Sequence, residues 1–193
     1  MLKAMVFIDQ LNFYISSKKY YAALGLDIPK LDYTKIPCEI VKRIPDAKHI
    51  KTFVFAPKPD KLLMQLPSWE NYTSWLDMLN NKNYFEIIKS EYQARPVNGA
   101  IDVFDRSSYY LEEKGTDVQL AAQMLTKAFH NSLDIAVLVS GDTDYLPVLD
   151  VLNSIGKLSV IAAVEGQNLS RYSGFVDEKI VMDKAFFENC LLE

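Results

Sequence analysis

Cysteine and histidine are scarce in this 193-residue chain, with two of each. Cys38 and Cys190 stand far apart and lack metal-ligand spacing, so neither a zinc site nor a disulfide framework is expected. His49 and His130 fall in no setting that pairs with a nucleophile, which argues against a serine or cysteine hydrolase. No apolar run reaches the roughly 18–20 residues of a membrane helix. The opening MLKAMVFID runs straight into an apparent strand, without a signal-peptide core or a small-residue cleavage site. A cytoplasmic location and no membrane partner are the resulting expectations. Repeats, low-complexity segments and obvious linkers are lacking too.

An excess of positive charge is also lacking: the formal net charge is −4. That total hides an asymmetry, because residues 1–61 sum to +5 and the remainder to −9. Phosphate contacts depend on local basic patches rather than overall charge. Lys18-Lys19 and the group Lys42, Arg43, Lys48 and Lys51 are candidates for one, with solvated helix faces as the plain alternative. What the chain has in quantity is apolar residues, 49% against 24% charged, enough for one domain with a sizeable core.

Hydrophobic periodicity predicts alternating strands and helices. Strands are expected at 4–8, at 51–55 (stopped by Pro57 and Pro59), at 135–139, 158–163 and 180–182. Helices are expected at 11–24, at 32–44 around Pro37, in a region broken at Pro67, at 116–130, 145–155 and 169–172, and from Lys184. Asn98-Gly99, between Phe85–Tyr92 and Ile101–Phe104, signals a hairpin. Strands joined through helices predict a mostly parallel α/β sheet covered on both faces.

In such sheets functional residues gather beyond the carboxyl ends of strands. Asp9 closes the first strand, Asp142 and Asp144 follow LVSG (138–141), and Asp117 opens a helix in KGTDVQL. Singly, Asp117 and Asp144 read as helix caps, and Asp9 as a loop residue bonding its own backbone. Jointly, acids from separate segments at one sheet edge repel one another unless a cation offsets them. Mg²⁺ or Mn²⁺ suits such oxygen ligands.

FIDQLNF (7–13), KGTDVQLAAQML (114–125), LVSGDTDYLPVL (138–149) and the tail VDEKIVMD (176–183) together resemble the motifs of NYN domains, which include the LabA-like group and belong to the PIN-like nuclease superfamily. The resemblance implies a three-layer α/β/α, Rossmann-like fold over a single domain, 1–193, with a member-specific helical elaboration at about 25–83. It also implies a metal-dependent phosphodiesterase centre, usually acting on RNA. Carried over by motif, Asp9, Asp117, Asp142 and Asp144 would be the catalytic and metal-ligating acids for Mg²⁺ or Mn²⁺. Asn12 would orient water or phosphate, Ser140 would hydrogen-bond a ligand or tie down its turn, and Lys114 would contact the backbone or simply be solvated. Gln10 stands where many relatives have Gly, and Gln123 where they often have an acid.

The expected function is an endoribonuclease using activated water and leaving 5′-phosphate and 3′-hydroxyl ends. Lys18 and Lys19 would contact the substrate, single-stranded RNA, beside Tyr14, Tyr20 or Tyr21 as stacking surfaces. The alternative is a non-catalytic regulatory or RNA-binding module that keeps the acidic site, with residues 25–83 as a protein-binding or self-association surface. A phosphatase of the haloacid dehalogenase type is disfavoured, since the residue two beyond Asp9 is Leu11.

Overall fold

A computed structural model describes residues 1–192. Seven strands form one sheet: β1 (Leu2–Asp9), β2 (Ala47–Pro59), β3 (Phe85–Pro96), β4 (Tyr109–Lys114), β5 (Ile135–Val139), β6 (Leu158–Val164) and β7 (Glu178–Met182). Their spatial order is β4-β3-β2-β1-β5-β6-β7. Every neighbouring pair is parallel except β3 and β4. The helices are α1 (Gln10–Ala23), α2 (Lys35–Val41), α3 (Pro67–Asn80), α4 (Thr116–Phe129), α5 (Leu146–Ser154) and α6 (Lys184–Glu188).

Strand alternation divides the core into two layers. Ala4, Val6 and Ile8 of β1 face one cluster, joined by Phe13 and Tyr21 of α1, Ile36 and Ile40 of α2, Leu76 and Leu79 of α3, and Phe186 and Phe187 of α6. Met5 and Phe7 face the other, joined by Leu120 and Met124 of α4 and by Leu149 and Leu152 of α5. The inner strand β5 is buried throughout, as a strand covered on both faces must be. In α4 the buried Thr116, Leu120, Met124 and Ala128 recur every fourth residue, the spacing of a helix with one face on the sheet. The outcome is the three-layer α/β/α arrangement. No helix among the described residues is long and apolar enough to cross a membrane.

Two local expectations need correction, and a third needs refining. Pro57 and Pro59 do not stop β2, which runs through both. Pairing with β1 ends at Asp9–Phe55, so beyond that point only the β3 side is bonded and a residue without N–H is tolerated on the open side. The helical region does break at Pro67, but by starting anew: a short 3-10 turn (Leu63–Gln65) ends before it and α3 begins with it, the first turn having no partner for an N–H in any case. Asn98-Gly99 closes no tight hairpin: Phe85–Pro96 pairs with Tyr109–Lys114 across a long loop. Turns within that loop, such as those closed by the Ser107 N–H donating to Asp105 and the Phe104 N–H donating to Asp102, take up Ile101–Phe104.

Candidate active site

From β1 the chain fills the sheet in one direction through β2 and β3, then returns to build β5, β6 and β7 on the other side. β1 and β5 are therefore the neighbours at which strand order reverses, and a crevice opens beyond their carboxyl ends. Their register pairs Ile8 with Val139, so the next residues, Asp9 and Ser140, emerge side by side. The Ser140 hydroxyl donates to Asp9 Oδ2 (3.3 Å) and accepts from the Asp142 N–H (3.2 Å).

Asp9 is buried and caps α1, its Oδ1 accepting the Asn12 N–H at 3.1 Å. Tyr145, also buried, donates its hydroxyl to Asp117 Oδ1 at 2.7 Å and lies 3.4 Å from Asp9 Oδ2. One hydroxyl proton serves one acceptor, so Asp117 takes the stronger bond. Asp142 Oδ1 accepts the Asp144 N–H (3.0 Å), and its main-chain carbonyl accepts the Tyr172 hydroxyl (2.5 Å). Asp9, Asp117 and Asp142 share a cleft of about 210 Å³ with Asn12, Glu113 and the apolar wall of Leu11 and Ile15.

Glu113 is an acid that sequence reasoning missed. It accepts from Ser90 Oγ at 3.3 Å and from Thr116 Oγ1, which ties β3, β4 and the start of α4 together. The usable signal was alternation in YYLEEK: Tyr109, Leu111 and Glu113 fall on one strand face. Tyr145 and Gln167 were missed as well; the first follows Asp144 directly in the third motif, while nothing in the local pattern marks the second.

Burial pushes the Asp9 carboxyl up to about 6 from its ordinary 3.8. The Asn12 N–H opposes that rise, the charges of Glu113 and Asp117 add to it, and the Ser140 hydroxyl bond lowers it slightly. Tyr145 is pushed up by burial first and by the Asp9 charge next, so it remains a neutral donor.

The other candidates are distributed unevenly. Asn12 Oδ1 accepts from Gly141 N (3.0 Å) and Gln167 Nε2 (3.1 Å), leaving its amide NH₂ for a ligand. Asp144 is exposed at the start of the turn before α5 and does not line the cleft. Gln123 does not line it either. Lys114 is exposed and lies 3.3 Å from Glu112. Lys19 lines a second groove beside Asn12, with Tyr20 and Glu165; Lys18 is exposed on the same helix. Tyr20 donates to Glu165 at 2.7 Å, and Tyr21 is buried against Phe187, so it offers no stacking face. Lys48 and Lys51 stand near the amino end of β2, away from the cleft at the opposite strand ends. Lys42 pairs with Glu39, and Lys51 with Glu86.

Gly141 is required for a close approach rather than for its backbone angles. A methyl group there would occupy the position of the Gln167 amide, which is pinned by bonds to the Val164 N–H (2.9 Å) and to Asn12. Gly141→Ala is expected to expel Gln167 and to cost about 1–2 kcal/mol for the hydrogen bonds lost. Urea denaturation of the two proteins measures it.

Among functionally curated proteins, none matches the chain. A solved structure of a protein of unknown function from Vibrio parahaemolyticus superposes with a TM-score of 0.61 at 16% identity, covering 99% of this chain and 96% of that one, which shows a shared fold. The NYN domain model matches residues 3–181, a span that includes all four acids of the cleft. The chain belongs to the NYN domain family.

Proposed function

We propose that the protein is a divalent-cation-dependent endoribonuclease, with Asp9, Glu113, Asp117 and Asp142 as its acidic centre. One observation carries this: carboxylates from three separate parts of the chain meet in one cleft at the switch point, and the most buried of them is pushed up toward neutrality. Such crowding is unfavourable without a counter-charge. Membership of the NYN family supports the nuclease class and RNA as substrate.

The donor set consists of hard oxygen ligands, the chemistry preferred by Mg²⁺ and Mn²⁺. Among the described residues no three Asp, Glu, His or Cys side chains stand together as a ready chelate. Mg²⁺ keeps several waters and needs only one or two carboxylates directly, so the residues fit it, with the remaining acids acting through water. When bound, the cation supplies positive charge to a phosphate oxygen and acidifies nearby water.

The chain's own groups provide the rest. Ser140 and the Asn12 N–H fix the two oxygens of Asp9, and the Tyr145 hydroxyl holds Asp117. Tyr172 anchors the main chain of Asp142. Asn12 presents an amide donor beside the acids, suited to a phosphate oxygen or an attacking water. Asp144, outside the cleft lining, is given no ligand role.

Attack by water with departure of the 3′ oxygen leaves a 5′-phosphate and a 3′-hydroxyl. End-group analysis of cleaved RNA should return these products. Cyclic 2′,3′-phosphate ends would show that the ribose hydroxyl attacks instead, and would exclude this chemistry.

A further inference from the structure

Next to the acidic cleft lies a groove of about 490 Å³ that the acids do not use. We propose that it is a nucleobase subsite, which stacks an unpaired base of the RNA strand adjoining the phosphate at the acidic centre. The inference rests on the nuclease reading for its orientation, but the groove's base binding is measurable by itself.

The groove carries five aromatic side chains: Tyr14 of α1, Trp69 and Tyr72 of α3, Tyr92 of β3 and Tyr109 of β4. Its volume falls within the range of small-ligand pockets. Trp69 meets Tyr72 edge to face at 5.6 Å and 86°, and Tyr92 at 5.4 Å and 65°, so the ring planes are fixed before any ligand arrives. Trp69 and Tyr92 pack against a small buried cluster of Leu63, Ala94 and Tyr109.

Two features point to a base rather than to an apolar peptide. Arg106 lies at the rim, its guanidinium 4.7 Å from the Tyr109 ring centre and its Nη1 bonded to the Tyr109 carbonyl (2.9 Å). A cation held over a ring, with further N–H donors able to meet a phosphate, combines the stacking and charge recognition used for single strands. The buried Gln10 also lines the groove, and its Oε1 accepts the Tyr72 hydroxyl at 3.1 Å. An amide and a phenol in an aromatic slot supply the polar edge contacts that a base requires and a hydrocarbon does not.

Continuity fixes which strand the base belongs to. Asp9 lines the acidic cleft, Gln10 lines the groove, and Leu11 lines both. The two hollows meet at Leu11, so a chain with its phosphate in one places a neighbouring base in the other. Gln10 is itself tied to Tyr72 of α3.

The test measures binding of a labelled single-stranded oligoribonucleotide to protein carrying Asp9→Asn, so that cleavage plays no part. Tyr14 is 41% exposed, so its removal takes little from the core. Adding Tyr14→Ala should weaken binding roughly 5- to 100-fold, the effect of one lost base stack, and adding Tyr14→Phe should restore it. Tyr110→Ala, at an exposed tyrosine outside the groove, is the control and should bind normally. Trp69→Leu, checked by thermal melting, should weaken binding in the same sense. Unchanged affinity in both Tyr14→Ala and Trp69→Leu, or an equal loss in Tyr110→Ala, would overturn the subsite. Absence of cleavage by the wild-type protein would count against the nuclease reading and leave these affinities standing.

Discussion

With both proteins stripped of divalent cations, Asp9→Asn is expected to be more stable than the wild type at neutral pH, and with the cation restored to cleave RNA at least about 100-fold more slowly. Both effects come from one carboxylate. Its folded-state value of about 6 lies above the ordinary 3.8, so the fold favours the protonated form. Below about pH 4 the group is neutral in folded and unfolded chains and carries no penalty. As pH rises through about 6 the folded protein must ionise it in a buried, acid-lined position, at a cost of about 1–3 kcal/mol. Wild-type stability from this group therefore falls between about pH 4 and 6, whereas the Asn variant stays level across that range. Asn keeps the Oδ1 acceptor that caps α1, so the substitution isolates charge from capping. The activity loss follows from the ligand role proposed for Asp9, because altering even outer partners of metal ligands costs 10- to 100-fold. Urea denaturation in chelator at several pH values gives the stabilities. A less stable Asn variant at neutral pH would mean that Asp9 is held ionised by something other than a cation.

Asp142→Asn should lose activity by a similar factor with almost no change in stability. Asp142 Oδ1 caps the turn at Asp144, and Asn supplies the same acceptor. Tyr172 bonds the main-chain carbonyl, which the substitution leaves alone. Asp142→Ala would additionally lose the cap, about 1 kcal/mol. Comparing the two variants separates the charge from the turn. Equal activity in Asp142→Asn and wild type would remove this residue from the acidic centre.

The layered fold was legible because its signals are local and periodic. β5 reads as an uninterrupted apolar run, and α4 repeats its buried residues every fourth position. β4 was not legible: YYLEEK is short, half-exposed and paired only with the end of β3, so its stability comes from a partner distant in sequence. With β4 missed, Glu113 was given no role, although it lines the cleft. The prolines of β2 misled for a related reason, since whether a proline stops a strand depends on which neighbours bond there, and that is topology. That Asp9, Asp117 and Asp142 share one cleft was legible because each sits at an element edge within a motif. The aromatic groove was hidden because Tyr14, Trp69, Tyr92 and Tyr109 come from four separate elements.

Cleavage of labelled single-stranded RNA by metal-stripped protein, titrated with Mg²⁺ and Mn²⁺ beside matched DNA and the Asp9→Asn variant, tests the central claim most directly. The account predicts cleavage of RNA that appears on adding the cation and is absent in the variant. Cation binding without cleavage of any strand, or equal cleavage by both proteins, would contradict it.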